Sequence, residues 1–115
     1  MKILIADDSD AVIRYFMRVL NMYDYKNVVV TNNGIDAVSL CEGYHPDVIF
    51  MDLNMPLMNG CDATKLISKE YPNIKVYGMS SEAKLLEGCD APFEEVYKKP
   101  IEMHTVKGIL DAVQI

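Results

Sequence analysis

The sequence predicts an α/β domain built on a doubly wound, five-stranded parallel sheet. Short apolar runs alternate along the chain with segments whose apolar residues recur at helical spacing, and the run Val48 to Met51 contains no polar residue at all. Uninterrupted apolar strands are typical of a sheet covered on both faces, and strand–helix alternation with right-handed crossovers makes such a sheet parallel. At 115 residues, the chain is predicted to form one domain over residues 1–115.

Each predicted element follows from its own pattern of apolar residues. The strands are predicted at residues 2–6, 28–30, 48–51, 74–79 and 95–98. The helices that follow the first, second, third and fifth strands carry these apolar residues on one face: Val12, Phe16, Val19 and Leu20; Ile35, Val38 and Cys41; Ala63, Leu66 and Ile67; Val106, Ile109, Leu110 and Val113. We expect these faces to cover the two sides of the sheet.

Composition and charge exclude several classes of function. The net charge is -6 and no stretch concentrates Lys and Arg, so we expect no direct contact with nucleic acid. No apolar run approaches the roughly 18 residues of a membrane span, which predicts no membrane insertion. The N-terminal apolar run reaches Asp7 and Asp8 too soon for a signal peptide, and we therefore expect a cytoplasmic protein. The sequence begins at its first predicted strand and ends just after its last predicted helix, so we expect any output beyond this domain to pass through another polypeptide.

The three cysteines are Cys41, Cys61 and Cys89. Their number is odd and their spacing is long and irregular, which favours reduced thiols over a disulfide framework or a zinc site.

Reactive side chains follow four of the predicted strands. They are Asp7 and Asp8, Asp52, Ser80 and Ser81, and Lys99 with Pro100. Ligands of an open parallel sheet bind outside the carboxyl ends of its strands, so we expect these groups to meet at one edge. Taken singly, the aspartates could be helix caps or turn residues and Lys99 a solvated surface charge. Their shared placement favours a site.

The chemistry of that set indicates phosphoryl transfer. Crowded carboxylates repel one another unless a cation compensates, and Mg²⁺ is the hard cation that carboxylate oxygens bind. A carboxylate such as Asp52 can attack phosphorus directly, while Lys99 and the Ser80 hydroxyl contact the transferred group. None of the six glycines forms a phosphate-cradling loop motif, which disfavours a nucleotide or flavin enzyme on the same fold.

Five segments occur in the order and near the spacing of a known family: Ile3-Leu4-Ile5-Ala6-Asp7-Asp8-Ser9, Val48-Ile49-Phe50-Met51-Asp52-Leu53-Asn54-Met55-Pro56, Asn59-Gly60, Met79-Ser80-Ser81 and Lys98-Lys99-Pro100. Together they resemble the signature segments of response-regulator receiver domains of two-component signalling. The resemblance covers essentially the whole chain and is to the stand-alone, chemotaxis-regulator type. It implies a flavodoxin-like sheet with strand order 2-1-3-4-5.

The resemblance also implies the metal and acceptor residues. Asp52 corresponds to the phosphoacceptor, and Asp8 to a direct Mg²⁺ ligand. Asp7 corresponds to a neighbour that acts mainly through water, and Asn54 to the residue that lends its backbone carbonyl to the metal.

The resemblance assigns the remaining residues to switching and to signal lifetime. Ser80 corresponds to the switch hydroxyl, and Lys99 to the lysine that pairs with the phosphoryl group. Pro100 would follow Lys99 through a cis peptide bond, as X-Pro positions allow. Asn54 and Glu82, two residues after Asp52 and Ser80, occupy positions that tune the lifetime of the acyl phosphate.

Two features depart from the family pattern. An aromatic residue is usual three positions before the lysine, where this chain has Val96. The neighbouring Tyr97 faces the other side of the strand and cannot simply replace it. The stretch from Ser80 to Lys99 is also short, so we predict a truncated or missing fourth helix, with residues 83–87 barely one turn long. Residues 89–95, with Pro92 and Phe93, would pack where that helix would otherwise lie.

The predicted function is therefore that of a phosphoacceptor module. A sensor histidine kinase or phosphotransfer protein would supply the phosphoryl group from a phosphohistidine, and a downstream protein target would read the result. We do not expect an enzyme, beyond intrinsic self-phosphorylation and dephosphorylation. The alternative is a receiver-like scaffold that binds partners without being phosphorylated.

Overall fold

The computed structural model describes residues 1–82 and 87–114. The elements in chain order are β1 (Ile3–Ala6), α1 (Asp10–Met22), β2 (Val28–Thr31), α2 (Gly34–Tyr44), β3 (Val48–Asp52), α3 (Gly60–Glu70), β4 (Lys75–Ser80), β5 (Glu95–Lys98) and α4 (Met103–Val113). The five strands form one sheet in the order β2-β1-β3-β4-β5, and every pairing is parallel. The predicted fold class is confirmed.

The apolar strands occupy the middle of the sheet because both of its faces are covered. Every residue of β1 and of β3 is buried, including the polar Asp52 at the end of β3. The outer strands β2 and β5 are only partly buried. An uninterrupted apolar run therefore indicates a central strand here, as expected for a sheet packed on two sides.

Two hydrophobic clusters lie on opposite faces of the sheet. Phe16 of α1 and Leu110 of α4 pack with Phe50 of β3 on one face. Ala37 of α2 and Ile67 of α3 pack on the other face, against neighbouring positions of the same strands. The alternation of strand side chains assigns each apolar residue to one cluster or the other.

Two apolar residues that the helical pattern placed on buried faces are exposed. Ile35 of α2 is 45% exposed and Leu66 of α3 is 47% exposed, so both predictions are wrong. The buried side of α2 includes small residues instead, and a Cβ at Gly34 would lie 2.1 Å from the carbonyl oxygen of Met58 in the loop before α3. Close approach through Gly34 and Ala37 leaves Ile35 pointing away from the core.

The connection between β4 and β5 carries the main departure from a regular strand–helix alternation. Residues 83–86, where most of the single helical turn was predicted, lie outside the described residues; the parts of the connection that are described, 81–82 and 87–94, contain no helix. Phe93 packs with the hydrophobic cluster on the sheet face that α2 and α3 cover, and it lies against Gly78 of β4. That is the face on which a right-handed crossover from β4 to β5 runs, so the predicted packing is confirmed for Phe93. Pro92 is exposed, so the prediction is wrong for that residue.

The expectation of three reduced thiols is wrong. Cys61 and Cys89 form a disulfide with Cα atoms 6.0 Å apart, while Cys41 is free and buried. The spacing of 28 residues gave no sign of this pairing, because the pairing depends on where the β4–β5 connection runs over α3.

No helix among the described residues is long and apolar enough to cross a membrane.

Candidate phosphoacceptor site

The sheet register brings the predicted site residues to one edge. Ala6 pairs with Met51 of β3, and Ser80 pairs with Lys98 of β5, so the strands end nearly level. Backbone hydrogen bonds extend the register beyond the strands, since the Lys99 N–H donates to the Ser80 carbonyl at 2.9 Å. The groups that meet at this edge are Asp7, Asp52, Ser80 and Lys99.

Lys99 joins the two buried carboxylates of the site. Its Nζ lies 2.8 Å from Oδ2 of Asp7 and 3.1 Å from Oδ2 of Asp52, and both carboxylate side chains are at most 3% exposed. The remaining oxygen of each carboxylate accepts a backbone N–H two residues ahead, from Ser9 at 2.8 Å and from Asn54 at 3.2 Å. Both carboxylates are thus oriented by their own loops and share one ammonium group.

The electrostatics of the site are unfavourable to full ionisation of Asp52. Burial raises the pKa of Asp52 from 3.8 to about 6, and the charge of Asp7 adds to this, while the Asn54 N–H and Lys99 oppose it. Burial lowers the pKa of Lys99, but its hydrogen bonds to Asp7 and Asp52 outweigh that effect and raise the pKa above its usual value. Lys99 therefore remains an ammonium, and a second cation would relieve the acidic cluster.

The carboxylates form a donor set that suits a divalent cation. Asp7, Asp8 and Asp52 each offer an oxygen, and these oxygens lie within 4.8 Å of one another. Asp8 is exposed, whereas Asp7 and Asp52 are buried, so the cluster opens to solvent on the Asp8 side. An all-oxygen donor set of net negative charge fits a hard ion such as Mg²⁺, which keeps several waters in its coordination shell.

Ser80 is close to the edge but is hydrogen-bonded to the backbone. Its hydroxyl donates to the carbonyl of Glu82 at 2.5 Å and accepts the Glu82 N–H at 3.1 Å. Ser80 is 6% exposed and ends β4, beside Asp52 at the end of β3. The hydroxyl thus belongs to a local turn in this conformation, with its side chain inside the site region.

The remaining predicted residues surround the site less closely. Val96 lies against Gly78 on the face that Phe93 covers, whereas Tyr97 stacks with Tyr77 on the opposite face at 6.4 Å between ring centroids. The two side chains therefore face opposite ways, as strand alternation requires. Asn54 is exposed, and the peptide bond between Lys99 and Pro100 is cis.

Sequence reasoning from single residues did not assign a role to Gly60 or Tyr15. A Cβ at Gly60 would lie 2.1 Å from the carbonyl oxygen of Asp52, so α3 begins in direct contact with the backbone of the acceptor. The hydroxyl of Tyr15 donates to the carbonyl of Ile101, which ties α1 to the loop after Lys99. The sequence pair Asn59-Gly60 was a signal for the Gly60 contact, but nothing in the spacing indicated the Tyr15 hydrogen bond.

Comparison with known proteins identifies the family. The family model described as the response regulator receiver domain matches residues 3–111. The chain belongs to this family. This receiver domain is 30% identical to the chemotaxis protein CheY of Thermotoga maritima, over 97% of this chain and 96% of that protein. It is 34% identical to the two-component response regulator 24 of Arabidopsis thaliana, over 93% of this chain and 79% of that protein.

The chain is also similar to a longer relative and to solved structures of receiver domains. The receiver domain is 40% identical to the transcriptional regulatory protein DegU of Brevibacillus brevis, but the match spans 70% of this chain and only 34% of that protein. The receiver domain of the sensor histidine kinase PA1611 from Pseudomonas aeruginosa superimposes with a TM-score of 0.89 at 22% identity, covering 99% and 98% of the two chains. That structure holds a magnesium ion in its active site cleft. The chemotaxis protein CheY4 of Vibrio cholerae gives 0.83 at 26% identity, covering 97% of each chain.

Proposed function

We propose that this receiver domain accepts a phosphoryl group on Asp52 from a phosphohistidine, in a reaction that requires Mg²⁺. The donor is a sensor histidine kinase or a phosphotransfer protein, and the product changes contacts with a downstream protein target. The observation that supports this most strongly is the shared ammonium of Lys99, 2.8 Å from Asp7 and 3.1 Å from Asp52. Caps and surface charges with no common purpose would have no reason to converge in this way.

Asp52 is the nucleophile in the proposed reaction. Its pKa of about 6 leaves the carboxylate ionised at neutral pH, so no general base is needed. A carboxylate oxygen forms the new bond to phosphorus while the bond between phosphorus and the imidazole nitrogen breaks, and the electron pair stays on the imidazole. Lys99 moves its contact from the carboxylates to a phosphoryl oxygen, where it balances the transferred charge.

The acidic cluster is the proposed metal site. Asp7, Asp8 and Asp52, with the backbone carbonyl of Asn54, would hold Mg²⁺. When bound, the ion would neutralise charge on the phosphoryl group and hold it in line with the attacking oxygen. The all-oxygen donor set supports this assignment, as does the magnesium ion in the structure of the PA1611 receiver domain.

Ser80 is the proposed sensor of the phosphoryl group. A phosphoryl oxygen on Asp52 would offer the Ser80 hydroxyl a charged acceptor in place of the Glu82 carbonyl that it uses now. Exchange of that hydrogen bond would shift the residues after β4 between two populated conformations. Val96 replaces the usual aromatic residue, so the proposed readout runs through the β4–β5 connection and Phe93. Asn54 and Glu82 flank the site where an attacking water would limit the signal's lifetime.

The domain is proposed to act as a switch and not as a turnover enzyme. Its own chemistry would be limited to self-phosphorylation from a donor and hydrolysis of the resulting acyl phosphate. We propose a cytoplasmic location, where histidine kinases present their phosphorylated domains.

The test is to label the protein with a small phosphodonor. Wild-type protein is incubated with Mg²⁺ and acetyl phosphate, and intact mass is recorded. We expect one phosphoryl adduct that is stable in acid and labile in base, and that chelator abolishes. Asp52→Asn should abolish labelling, whereas Asp111→Asn should not, because Asp111 is exposed near the far end of α4.

Two outcomes would contradict the proposal. One is the absence of any adduct on folded wild-type protein, which would favour the unphosphorylated scaffold. The other is undiminished labelling of the Asp52→Asn variant, which would move the acceptor to another residue.

A further inference from the structure

The disulfide between Cys61 and Cys89 lies beside the acceptor loop, residues 53–59, which joins Asp52 to α3. Cys61 is the second residue of α3, and Cys89 belongs to the connection that leads from β4 to β5. Both residues are half-buried, so each is partly accessible from solvent. The 28-residue separation closes a covalent loop that contains all of β4 and Ser80.

One end of this loop is fixed to the acceptor residue. Cys61 follows Gly60, whose Cα lies so close to the Asp52 carbonyl that an added Cβ would come within 2.1 Å of its oxygen. The N–H of Gly60 also donates to the carbonyl of Leu53 at 3.1 Å. Only one residue therefore separates Cys61 from the contact with the Asp52 backbone.

The chain that follows the other end of the loop is held against β4. The chain beyond Cys89 returns to β4, where Phe93 packs on Gly78 and the Glu94 N–H donates to the Val76 carbonyl at 2.8 Å. A noncovalent tie next to Cys89 in the chain is the ion pair of Lys65 with Asp90 at 2.6 Å. Both partners of that pair are exposed, and exposed ion pairs stabilise weakly. The disulfide is thus the strongest tie between α3 and the connection among the described residues.

A groove of about 270 Å³ lies between the residues that follow Asp52 and the disulfide. Leu53 and Asn54 line this groove together with Cys61, Cys89 and Lys65. The disulfide therefore forms part of the wall of a groove that reaches the two residues after Asp52 and is large enough for several waters. Breaking the bond would loosen that wall.

We propose that Cys61 and Cys89 form a redox-responsive modification site that controls how fast the phosphoryl group on Asp52 is hydrolysed. The inference deepens the proposed function and rests on it. In the reducing cytosol, disulfides are mostly transient and redox-sensing, which suits a bond that is reachable from solvent. The reduced state, with the connection released from α3, admits water to the acceptor loop more readily than the oxidised state.

The chemistry is thiol–disulfide exchange with a small dithiol. One thiolate of the reductant attacks a sulfur of the disulfide and forms a mixed disulfide, and the other cysteine leaves as a thiolate that takes up a proton. The second thiol of the reductant then displaces the remaining protein sulfur. Two electrons and two protons pass to the protein, and the dithiol becomes a cyclic disulfide. A low-molecular-weight disulfide reverses the reaction.

The experiment compares the oxidised and reduced forms of the full chain. Each form is treated with N-ethylmaleimide under native conditions, and intact mass counts the accessible thiols. Reduced protein should gain two labels and oxidised protein none, because Cys41 is buried and burial raises the pKa of its thiol to about 11. Both unalkylated forms are then loaded with acetyl phosphate and Mg²⁺, the donor is removed, and loss of the adduct is followed by mass. We expect decay at least about threefold faster in the reduced form.

Variants separate the bond from its surroundings. Cys61→Ser and Cys89→Ser each remove the disulfide from a different side, and both should decay at the rate of reduced wild type and ignore the reductant. Lys65→Met removes the neighbouring ion pair but keeps both thiols, so it should retain the response to reductant.

Each outcome has a distinct meaning. Equal decay of oxidised and reduced wild type overturns the redox proposal and leaves the phosphoacceptor function standing, and so does an oxidised sample that still gains two labels. The absence of a phosphoryl adduct in both forms overturns the phosphoacceptor function and, with it, the control of hydrolysis. If the reduced form still gains two labels and the oxidised form none, the failure lies at Asp52 and not at the thiols.

Discussion

Replacing Asp52 with Asn should stabilise the metal-free protein. Asp52 is 2% exposed and shares its surroundings with the charge of Asp7, and its pKa is raised from 3.8 to about 6. Each unit of raised pKa corresponds to about 1.36 kcal/mol, so ionised Asp52 destabilises the fold by roughly 3 kcal/mol above pH 6. Asn keeps the size of the side chain and removes its charge, which stabilises the fold. The substitution also removes the ion pair with Lys99, which offsets part of that gain. We expect a net gain of about 1–3 kcal/mol, or about 4–12 °C in Tm for a domain of this length.

The pH dependence gives the sign of the effect. Because the folded state holds the Asp52 proton more tightly than the unfolded state, wild-type stability falls as pH rises from about 4 to about 6. The advantage of Asp52→Asn should therefore be full at pH 7.5 and nearly gone at pH 4.

Urea and thermal denaturation in the presence of chelator measure the stability gain of Asp52→Asn and its dependence on pH. Asp111→Asn, an exposed acid on α4, serves as the control and should change stability by less than about 0.5 kcal/mol. Added Mg²⁺ should stabilise wild type more than Asp52→Asn. A variant no more stable than wild type at pH 7.5, or a gain that is the same at pH 4, would refute the electrostatic reasoning.

Three further substitutions test the packing, charge and capping of the site. Gly60→Ala places a Cβ 2.1 Å from the Asp52 carbonyl oxygen and should destabilise by about 1–3 kcal/mol in urea, whereas Gly108→Ala, with open space around it, should not. Lys99→Met leaves two buried carboxylates without their shared cation, so we expect a loss of about 3–5 kcal/mol in urea and at least about tenfold slower labelling by mass. Ser9→Ala removes the side-chain cap of α1 and should cost about 1 kcal/mol by thermal denaturation, a loss that Ser9→Asn should avoid.

The strands were predictable because burial on two faces leaves an unambiguous pattern. Residues 48–51 were assigned to a strand from their apolar character alone, and the structure has Val48–Asp52. The spatial order of the strands was not contained in that pattern and came from the resemblance. On α2 the prediction holds for Cys41 and is wrong for Ile35, because the pattern ranks residues by apolar character, whereas the small residues Gly34 and Ala37 are buried beside Cys41. Close packing favours small residues where two backbones meet.

The charged part of the candidate site could be predicted for a different reason. A parallel sheet delivers the residues after its strands to one edge, so Asp7, Asp52 and Lys99 followed from the positions of the strands. The disulfide could not be predicted in this way, since Cys61 and Cys89 belong to segments whose meeting depends on how the β4–β5 connection crosses α3. Local sequence signals report on elements and their ends, but not on the path of an irregular connection.

The same edge also explains how the fold tolerates its acidic cluster. Helices α1, α2 and α3 all begin at this edge. Their capping residues are Ser9, Asn33 and Asn59, and the side chain of each accepts a hydrogen bond from a backbone N–H in the first turn of its helix. The positive ends of three helix dipoles therefore lie at the edge that carries the carboxylates, where they offset part of the repulsion. Lys99 offsets a further part through its two ion pairs. The compensation is incomplete, since the pKa of Asp52 stays raised, and a divalent cation or a rearranged Lys99 contact would complete it.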